Sequence, residues 1–504
     1  MTKSRRTTSH LLVPLTVTAT AATAAAFIFA YALKRESSAT TKAVSARNLH
    51  RVSGGAHLLL GDAAVISKNF DRLHDFFLEM FEQTNNEPFL IALPFVSPTI
   101  MVNDPATVEF ILKTQFPVFQ KGVKSRELFQ DFLGHGIFNV DGERWKSQRK
   151  LAANIFNVKN FKDFVNDVFS SEMNEFSSVL ETYSETGEEF DLQDLFFKFT
   201  FDSFMEIGFG VQMKSVRAAE KAPFMVAFDA IQSRIVKRVM NSMWKYSIHS
   251  EQIKTIREFG RLVIQEKRLT QASGEGNERD LLSLLMKVKD EEGNLPSDED
   301  LVDYVLNFLL AGRDTTAVTL SWAIFLLHQH PQTLHALLTE IKTVLTTDSA
   351  PTYDQIRTEM PYANAVFHET LRLYPSVPRG RKEVQKDITL PDGTFVPKGY
   401  WVSWSGYSMG RTEAIWGPDA KEFKPERWLK MEKQPSPFDY PAFNGGPRIC
   451  LGKGMAELEG VFVLVEMMRQ FEITVVKEDE VGYGMSLLLP MKKGLRVKCS
   501  LREA

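Results

Sequence analysis

The chain contains little cysteine: its 504 residues include only Cys450 and Cys499. Two thiols cannot form the disulfide framework of a small secreted domain or a four-ligand zinc cluster. The motif His-Glu-x-x-His does not occur among the ten histidines, which excludes the common zinc-protease site. A formal charge of −3, without an arginine-rich stripe, excludes a generally basic nucleic-acid binder. We therefore expect a domain that lies in a reducing compartment and does not bind nucleic acid.

Acidic residues are missing from the N-terminus, where the first is Glu36. The stretch from Thr7 to Leu33 has no formal charge, lies between basic residues and is long enough to span a bilayer. Its Arg- and Thr-rich character is also typical of a mitochondrial targeting peptide. We predict a membrane anchor or targeting segment at residues 1–36, followed by a linker and an N-terminal helical region at residues 37–92. Positive charge on both flanks leaves the orientation in a membrane open.

The remainder, residues 93–504, shows no internal repeat and no seam between domains. With 44% hydrophobic residues in the chain, it can bury one large core. Short strands are predicted from Leu90 to Val102, and helical patterns dominate from Asp104 to Leu269. The polar stretch from Gln271 to Ser297 is predicted to be a surface connection. The pattern therefore predicts a mainly α fold with small β-sheets.

The run from Phe443 to Gly452, FNGGPRICLG, places Cys450 on a glycine-rich loop before a predicted helix that starts at Lys453. A helix N-terminus favours an anionic sulfur, and a single soft anion suits a haem iron with one axial protein ligand. Each part alone has a plainer interpretation, a buried thiol and a turn. Cys499 lacks such a loop and is predicted to end a surface strand. The haem-binding residues predicted in this run are Phe443, Gly446, Arg448, Cys450 as the metal ligand, and Gly452.

A second candidate element is the apolar run from Leu301 to Leu327, which predicts a helix through the domain centre with a cap at Ser297. Two ionisable residues at its middle argue for a functional core position rather than lipid exposure. Gly312 weakens a helix by about 1 kcal/mol relative to alanine, and the Thr315 hydroxyl can bond back to the carbonyl of Ala311. We expect the helix to open locally at this point.

Together, these two elements resemble the cytochrome P-450 superfamily. Residues 443–452 match its cysteine signature Phe-x-x-Gly-x-Arg-x-Cys-x-Gly, and residues 311–316 match its helix pattern Ala-Gly-x-Asp-Thr-Thr. The resemblance implies the superfamily's fold, with a single large haem-thiolate monooxygenase domain at residues 93–504 and an N-terminal membrane helix. It also implies haem b as the cofactor, with Ala311 beside it, and assigns proton delivery to Asp314 and Thr315.

Further residues gain a role from the same resemblance. Glu369 and Arg372 lie three apart on one helix face and can pair. The superfamily joins such a pair to a later arginine, here Arg427, in a buried network that serves folding. Trp145 and Arg149, four apart on a predicted helix, are expected to reach the haem propionates, and Arg379 is expected to add another propionate contact.

Rival chemistries fail on the same sequence. The stretch Gly406 to Gly410 matches the Gly-x-Ser-x-Gly elbow of serine hydrolases, which requires a later histidine. The last histidine is His368, so that triad cannot be completed. A phosphate loop at Gly446 to Lys453 has the wrong glycine spacing. Among haem proteins, a peroxide-rearranging enzyme often lacks the helix alcohol, so Thr315 favours oxygen activation instead.

Residues 136–142, 390–395 and 407–416 resemble the membrane-bound fatty-acid hydroxylases of plants and fungi. This resemblance implies ω-hydroxylation of long-chain fatty acids, with electrons from NADPH delivered by the flavoprotein NADPH–cytochrome P-450 reductase, and with cytochrome b5 as a further candidate partner. The channel is expected to include residues 123–132 and 307–311. The alternatives are another lipophilic substrate (an alkane, sterol or terpenoid) or a non-catalytic haem-binding membrane protein. The expected location is the endoplasmic reticulum membrane with a cytosolic catalytic domain, and a mitochondrial location is the alternative.

Overall fold

The computed structural model describes residues 49–52, 61–94, 96–156, 159–240, 250–274, 279–289, 293–346 and 350–502. The predicted anchor or targeting segment at residues 1–36 lies outside these ranges. Within them, no helix combines the length and apolarity that crossing a bilayer requires.

Helices make up most of the described chain, as predicted. In chain order the α-helices are α1 (Ala63–Lys68), α2 (Leu73–Gln83), α3 (Pro105–Glu109), α4 (Val123–Leu133), α5 (Gly142–Phe156), α6 (Lys159–Thr186), α7 (Leu192–Phe209), α8 (Pro223–Met240), α9 (Ser250–Ser273), α10 (Leu281–Leu285), α11 (Asp298–Gln329), α12 (Pro331–Val344), α13 (Pro361–Leu373), α14 (Gly406–Met409), α15 (Glu413–Trp416), α16 (Glu426–Lys430) and α17 (Lys453–Gln470). Tighter 3-10 turns lie at Phe70–Arg72, Ser215–Arg217, Pro441–Phe443, Gly446–Arg448 and Glu478–Glu480, and wider π turns at Phe110–Thr114 and Gln355–Glu359.

The strands form small sheets, which confirms the predicted fold class. They are β1 (His50–Arg51), β2 (Phe89–Ile91), β3 (Thr99–Val102), β4 (Phe119–Gln120), β5 (Phe190–Asp191), β6 (Arg379–Val384), β7 (Ile388–Thr389), β8 (Phe395–Val396), β9 (Trp401–Ser405), β10 (Phe471–Val475) and β11 (Arg496–Leu501). The largest sheet has the order β1-β2-β3-β9-β6-β4. Its β9 pairs in parallel with β3 and antiparallel with β6, where Arg379 lies opposite Ser405. A second sheet has the order β10-β11-β5, and β7 pairs with β8.

Helix α11 runs through the main hydrophobic core and packs against α7, α13 and α17. It starts where the sequence predicted, because the Ser297 hydroxyl accepts a hydrogen bond from the backbone N–H of Asp300 at 3.2 Å. Gly312 serves close packing: a Cβ at this position would lie 1.9 Å from Cδ2 of Phe204 on α7. The segment from Asp298 to Gln329 is one continuous α-helix, so the expected local opening is not seen in its backbone.

The predicted surface connection from Gln271 to Ser297 is wrong in one part. Its sequence LLSLL forms α10, whose Leu281, Leu282 and Leu285 are buried in the core. The side chain of Asp280 caps this helix by accepting the backbone N–H of Ser283 at 2.9 Å. Four leucines in five residues bury enough apolar surface to draw the segment inward, despite its polar flanks.

Cys499 lies in strand β11, but the expected surface position is wrong. Strand β11 lies between β10 and β5 and packs against α6, which leaves Cys499 only 7% exposed. Its thiol donates to the carbonyl oxygen of Leu180 at 3.4 Å, and burial raises the pKa of this thiol to about 11. This cysteine is therefore a packed, protonated side chain.

Candidate active site

The loop before α17 is closed by its own backbone. The N–H of Cys450 donates to the carbonyl oxygen of Phe443 at 2.8 Å. Gly446 has a φ of +62°, and a Cβ there would lie 2.1 Å from the carbonyl oxygen of Leu112, so glycine is required by packing. A Cβ on Gly452 would meet no atom within 4 Å. The loop thus fixes the cysteine and leaves space beside Gly452.

The electrostatics of Cys450 only partly follow the prediction. Although Cys450 is exposed, the protein atoms around its sulfur desolvate it and raise the pKa of the thiol. The backbone N–H of Gly452 and the charge of Arg149 act in the opposite direction, as expected at the start of a helix. In the protein without a bound metal ion, desolvation has a larger effect on the pKa of the Cys450 thiol than these two contacts have. A metal cation bound to the sulfur would reverse this balance, because a coordinating thiol loses its proton.

Arg448 is buried between an aromatic ring and an acid. Its Nη2 donates to the carbonyl oxygen of Val140 and to Oδ1 of Asp141, both at 2.8 Å. Its guanidinium carbon lies 4.5 Å from the ring centroid of Trp145, so the structure brings these two predicted residues together. Burial lowers the pKa of Arg448 to about 10, and its Nε is buried without a hydrogen-bond partner. The contact with Asp141 was not predicted.

Two other predicted cations, Arg149 and Arg379, are partly exposed. Arg149 follows Trp145 by one turn of α5, and the charge of Cys450 acts on its pKa, which places the guanidinium near the sulfur. Burial lowers the pKa of Arg149 overall. Arg379 begins β6, with its guanidinium carbon 5.7 Å from the ring of Phe77, and burial alone lowers its pKa to about 10. Partly desolvated cations such as these favour the binding of an acidic group.

The middle of α11 has one face that is less buried than the rest. Leu310, Ala311, Gly312 and Thr315 are partly exposed in a helix that is otherwise mostly buried. The Thr315 hydroxyl donates to the carbonyl oxygen of Ala311 at 2.8 Å, as predicted. The hydroxyl of Ser376 donates to the carbonyl oxygen of Thr315 at 2.9 Å, which ties α11 to the segment before β6.

The carboxyl of Asp314 lies in a buried polar cluster. Its Oδ2 accepts a hydrogen bond from Nε2 of Gln232 on α8 at 2.6 Å. Nη1 of Arg313 lies 2.9 Å from Oδ1 of Asp314, but not in hydrogen-bond geometry, so that oxygen has no donor. Burial raises the pKa of the Asp314 carboxyl, and the charge of Arg313 opposes this rise. Arg313 and Asp314 are both buried, in agreement with the core position expected for the two ionisable residues of this helix.

One expected channel residue has a structural position instead. The Asn307 amide donates to the carbonyl oxygens of Leu133 and Asp303 at 2.9 and 2.7 Å, and its Oδ1 accepts the backbone N–H of Phe138 at 3.2 Å. These contacts join α11 to the turn after α4. With its amide fully engaged and the side chain buried, Asn307 does not line a channel.

Comparison with known proteins agrees with these features. The family model described as cytochrome P-450 matches residues 53–495. The chain belongs to the cytochrome P-450 family. It is 37% identical over 469 residues to cytochrome P-450 704C1 of Pinus taeda, covering 86% of this chain and 90% of that protein. It is 34% identical to cytochrome P-450 704B1 and 38% identical to cytochrome P-450 86B1, both of Arabidopsis thaliana, covering 88% and 78% of this chain and 94% and 76% of those proteins.

Membership makes this cytochrome P-450 a monooxygenase and implies a haem cofactor. The residues present fit that group. Cys450 offers a thiol at a helix start, and Arg448 has a buried Nε without a partner. Arg379 offers a partly desolvated cation, and the position of Gly452 leaves room for a flat ring. A soft anionic ligand together with several partly desolvated cations is a suitable donor set for an iron porphyrin that carries two carboxylates.

Helix α17 of this cytochrome P-450 carries a buried acid that sequence reasoning missed. Glu459 is 3% exposed, hydrogen bonds to Thr316 on α11, and burial raises the pKa of its carboxyl to about 8. The contact joins the cysteine helix to the helix that carries Asp314 and Thr315. A glutamate in a mostly apolar helix was the available signal, since such a residue must find a partner.

The predicted network around Glu369 is present. Arg372 donates to both carboxylate oxygens of Glu369 at 2.8 Å, and Nε of Arg427 donates to Oε1 at 2.8 Å. The indole of Trp428 donates to Oε2 at 2.9 Å. Arg372 also donates to the carbonyl oxygens of Gly410, Ala420 and Glu422, so all five of its N–H groups have partners.

The residues of the rejected hydrolase motif are part of the core. Ser408 is fully buried, and its hydroxyl donates to Oγ of Ser405 at 3.0 Å in the short helix α14. Tyr407 donates to Asp75 at 2.6 Å. These side chains hold α14 against α2 and are not arranged as a nucleophile with a base.

Proposed function

We propose that this cytochrome P-450 hydroxylates long-chain fatty acids at or near the ω carbon, with electrons from NADPH supplied through a flavoprotein reductase. The observation that carries the monooxygenase assignment is the position of Cys450 at the start of α17. Through Glu459 and Thr316, that helix is hydrogen bonded to α11, which holds Asp314 and Thr315. The resemblance of residues 136–142, 390–395 and 407–416 to fatty-acid hydroxylases supports the lipid substrate.

Haem, when bound, supplies the iron at which dioxygen is activated. In this proposal Cys450 would hold the iron through its sulfur, and the loop from Phe443 through Gly446 to Gly452 would keep that sulfur in place. Trp145, Arg149, Arg448 and Arg379 hold the acidic edge of the macrocycle. The small side chain of Ala311 would leave room for the macrocycle beside α11. The buried network of Glu369, Arg372 and Arg427 holds α13 in position and does not touch substrate.

Asp314 and Thr315 are proposed to move protons toward the partly exposed face of α11. The Thr315 hydroxyl is held by the carbonyl of Ala311 and can turn to donate toward that face. Asp314 directly precedes Thr315 in α11, and the raised pKa of its carboxyl allows it to exchange a proton near neutral pH. An acid with a matched pKa beside an alcohol is suited to such a relay.

The lipid assignment is tested by incubating purified protein with a reductase, NADPH and a panel of fatty acids, alkanes, sterols and terpenoids, followed by mass spectrometry. We expect hydroxylated fatty acids, with the hydroxyl mostly at the terminal carbon. Oxidation of sterols or terpenoids alone would reject the fatty-acid proposal. Haem binding without any product and without NADPH consumption would support the non-catalytic alternative.

The relay role of Thr315 is tested by Thr315→Ala. Removing the hydroxyl should raise the peroxide released and lower the product formed per NADPH, by about a hundredfold or more for a lost proton donor. Thr319→Ala is a matched control, because Thr319 makes the same back-bond, to the carbonyl of Thr315, one turn later. Wild-type product per NADPH in Thr315→Ala would remove Thr315 from the relay.

For location and partners, we propose the endoplasmic reticulum membrane with residues 1–36 as an anchor, NADPH–cytochrome P-450 reductase as the electron donor and cytochrome b5 as a second donor. Fractionation of cells that express the chain with and without residues 1–36 tests the anchor. Membrane association that is lost on truncation is expected. Import of the full chain into mitochondria, with cleavage, would replace this proposal with the alternative.

A further inference from the structure

The acid of the proposed relay is held by a second helix. Nε2 of Gln232 on α8 donates to Oδ2 of Asp314 at 2.6 Å, and the two side chains are 4% and 2% exposed. A neutral amide that donates to a buried carboxylate fixes both its orientation and its charge, since such hydrogen bonds are stronger than neutral ones. Gln232 therefore holds one of the two carboxylate oxygens of Asp314 in place.

A second contact between the same helices lies one turn earlier. Oδ1 of Asp229 accepts from Nη1 of Arg313 at 2.7 Å, and Asp229 and Gln232 are three apart, on one face of α8. Arg313 is fully buried, and its guanidinium carbon lies 5.0 Å from the ring of Phe197 on α7. This ion pair fixes the separation between α8 and α11 at the level of Asp314.

Some polar atoms in this cluster of Asp229, Gln232, Arg313 and Asp314 have no hydrogen-bond partner. Nε and Nη2 of Arg313 and Oδ1 of Asp314 are buried without a hydrogen-bond partner in the protein. A network built only for stability would be expected to satisfy these atoms, because each unpaired buried polar group costs about 1–3 kcal/mol. One oxygen of Asp314 is thus held by Gln232, and the other has no donor and can exchange a proton.

Helix α8 also contacts the segment expected to line the channel. The ring of Phe228 lies 5.1 Å from that of Phe132 on α4, and Arg238 forms two hydrogen bonds with Asp131, at 2.9 and 2.8 Å. The position of Gln232 is therefore set by the packing of α8 against α4 as well as against α11.

We propose that Gln232 is a positioning residue for the monooxygenase reaction: it orients the carboxyl of Asp314 so that its second oxygen passes the proton on toward Thr315. The Asp229–Arg313 ion pair keeps α8 at the distance this contact needs. This inference rests on the proposed proton-delivery role of Asp314.

The charged groups around Asp314 determine the expected pH effect. Arg313 faces it from α11, Asp229 faces it from α8, and Lys221 lies just before α8, with Asp194 of α7 acting on Arg313. Burial raises the pKa of Asp314, the Gln232 amide lowers it, and the charge of Asp229 raises it. Loss of the amide removes a stabilising contact to the ionised carboxylate, so the pKa of Asp314 should rise further.

The test compares Gln232→Leu and Gln232→Glu with Ser233→Ala, whose side chain is exposed on the same helix. In full-length protein with haem, reductase, NADPH and palmitic acid, a long-chain fatty acid, we expect product per NADPH to fall several-fold in both Gln232 variants. The limb of the pH profile that belongs to Asp314 should move up by about one pH unit. The solvent deuterium isotope effect on turnover should increase. Ser233→Ala should match the wild type in all three measurements.

Haem content and the carbon monoxide spectrum separate positioning from folding. Wild-type coupling, pH profile and isotope effect in a Gln232 variant that retains haem would overturn the proposal. Should Gln232→Leu lose haem, Gln232→Glu keeps the side-chain length, and an unshifted pH limb in that variant would also overturn it. Asp314→Asn distinguishes the two levels of the argument: if its coupling is normal, the proton-delivery role fails, whatever Gln232 does.

Discussion

Two buried arginine–carboxylate clusters in this protein differ in how completely they are satisfied. In the first, all five N–H groups of Arg372 have partners, and Glu369 accepts from Arg372, Arg427, Trp428 and the backbone of Lys424. In the second, two nitrogens of Arg313 and one oxygen of Asp314 have no partner in the protein. A saturated network rigidifies a fold, whereas an unsaturated one retains groups that can bind or exchange protons. The comparison separates a saturated structural cluster from one whose unpaired groups fit the proposed proton delivery.

Among the changes that test this comparison, Arg372→Leu in the Glu369 cluster should have the largest effect. Removing this side chain takes two hydrogen bonds from the buried Glu369 carboxylate and the Arg372 donor from three carbonyl oxygens, which should destabilise the protein by about 3–5 kcal/mol. We expect little soluble haem-containing protein, or a large fall in the thermal midpoint. The matched control is Lys146→Gln, which breaks an exposed ion pair with Glu143 and should cost at most about 1 kcal/mol. Equal effects of the two changes would show that the Glu369 cluster is not what holds this region.

Gly312→Ala tests the packing of α11 beside the Arg313–Asp314 cluster. The added Cβ would approach Cδ2 of Phe204 to 1.9 Å, so α7 and α11 must move apart, at a cost of about 1–3 kcal/mol. Gly454→Ala is the control: this glycine lies in α17, and a Cβ there meets nothing within 4 Å. Alanine at that site should be neutral or stabilising by up to about 1 kcal/mol. Chemical denaturation of the two variants in parallel measures the difference, and a stabilised Gly312→Ala would contradict the packing argument.

The contact between Glu459 and Thr316 predicts a smaller, pH-dependent effect. The pKa of Glu459 is raised in the folded state from 4.5 to about 8, so the folded protein binds a proton that the unfolded chain releases. Its contribution to stability is fully present below the unfolded pKa and is lost as pH rises toward 8. Glu459→Gln removes this dependence, and the variant should gain thermal stability relative to the wild type as pH increases from 5 to 8. A constant difference across that range would mean that Glu459 does not titrate as described.

Short-range patterns predicted much of this structure. Helix α11 and its Ser297 cap, the back-bond of Thr315 and the pairing of Glu369 with Arg372 all follow from spacings of three or four residues. The partners that the sequence could not supply are distant along the chain. Gln232 lies 82 residues before Asp314, and Asp141 lies 307 residues before Arg448. Contacts between residues so far apart leave no periodic pattern in the sequence, so they become visible only in the packed structure.

Burial was the other quantity that local patterns misjudged. Cys499 and the leucines of α10 were both expected to be more exposed than they are. Each lies beside polar residues in sequence but against apolar elements in space. The sequence also did not show why position 312 must be glycine, because Phe204, which an added Cβ would contact, belongs to another helix.

The central claim, that Cys450 is the axial ligand of a haem, is tested most directly by the difference spectrum of the reduced protein under carbon monoxide. We predict a Soret band with the shift typical of thiolate ligation for the wild type and for Cys499→Ala, which removes only the buried thiol of β11. Cys450→Ala should lose that band or fail to retain haem. A wild-type spectrum in Cys450→Ala, or its loss in Cys499→Ala alone, would contradict the account.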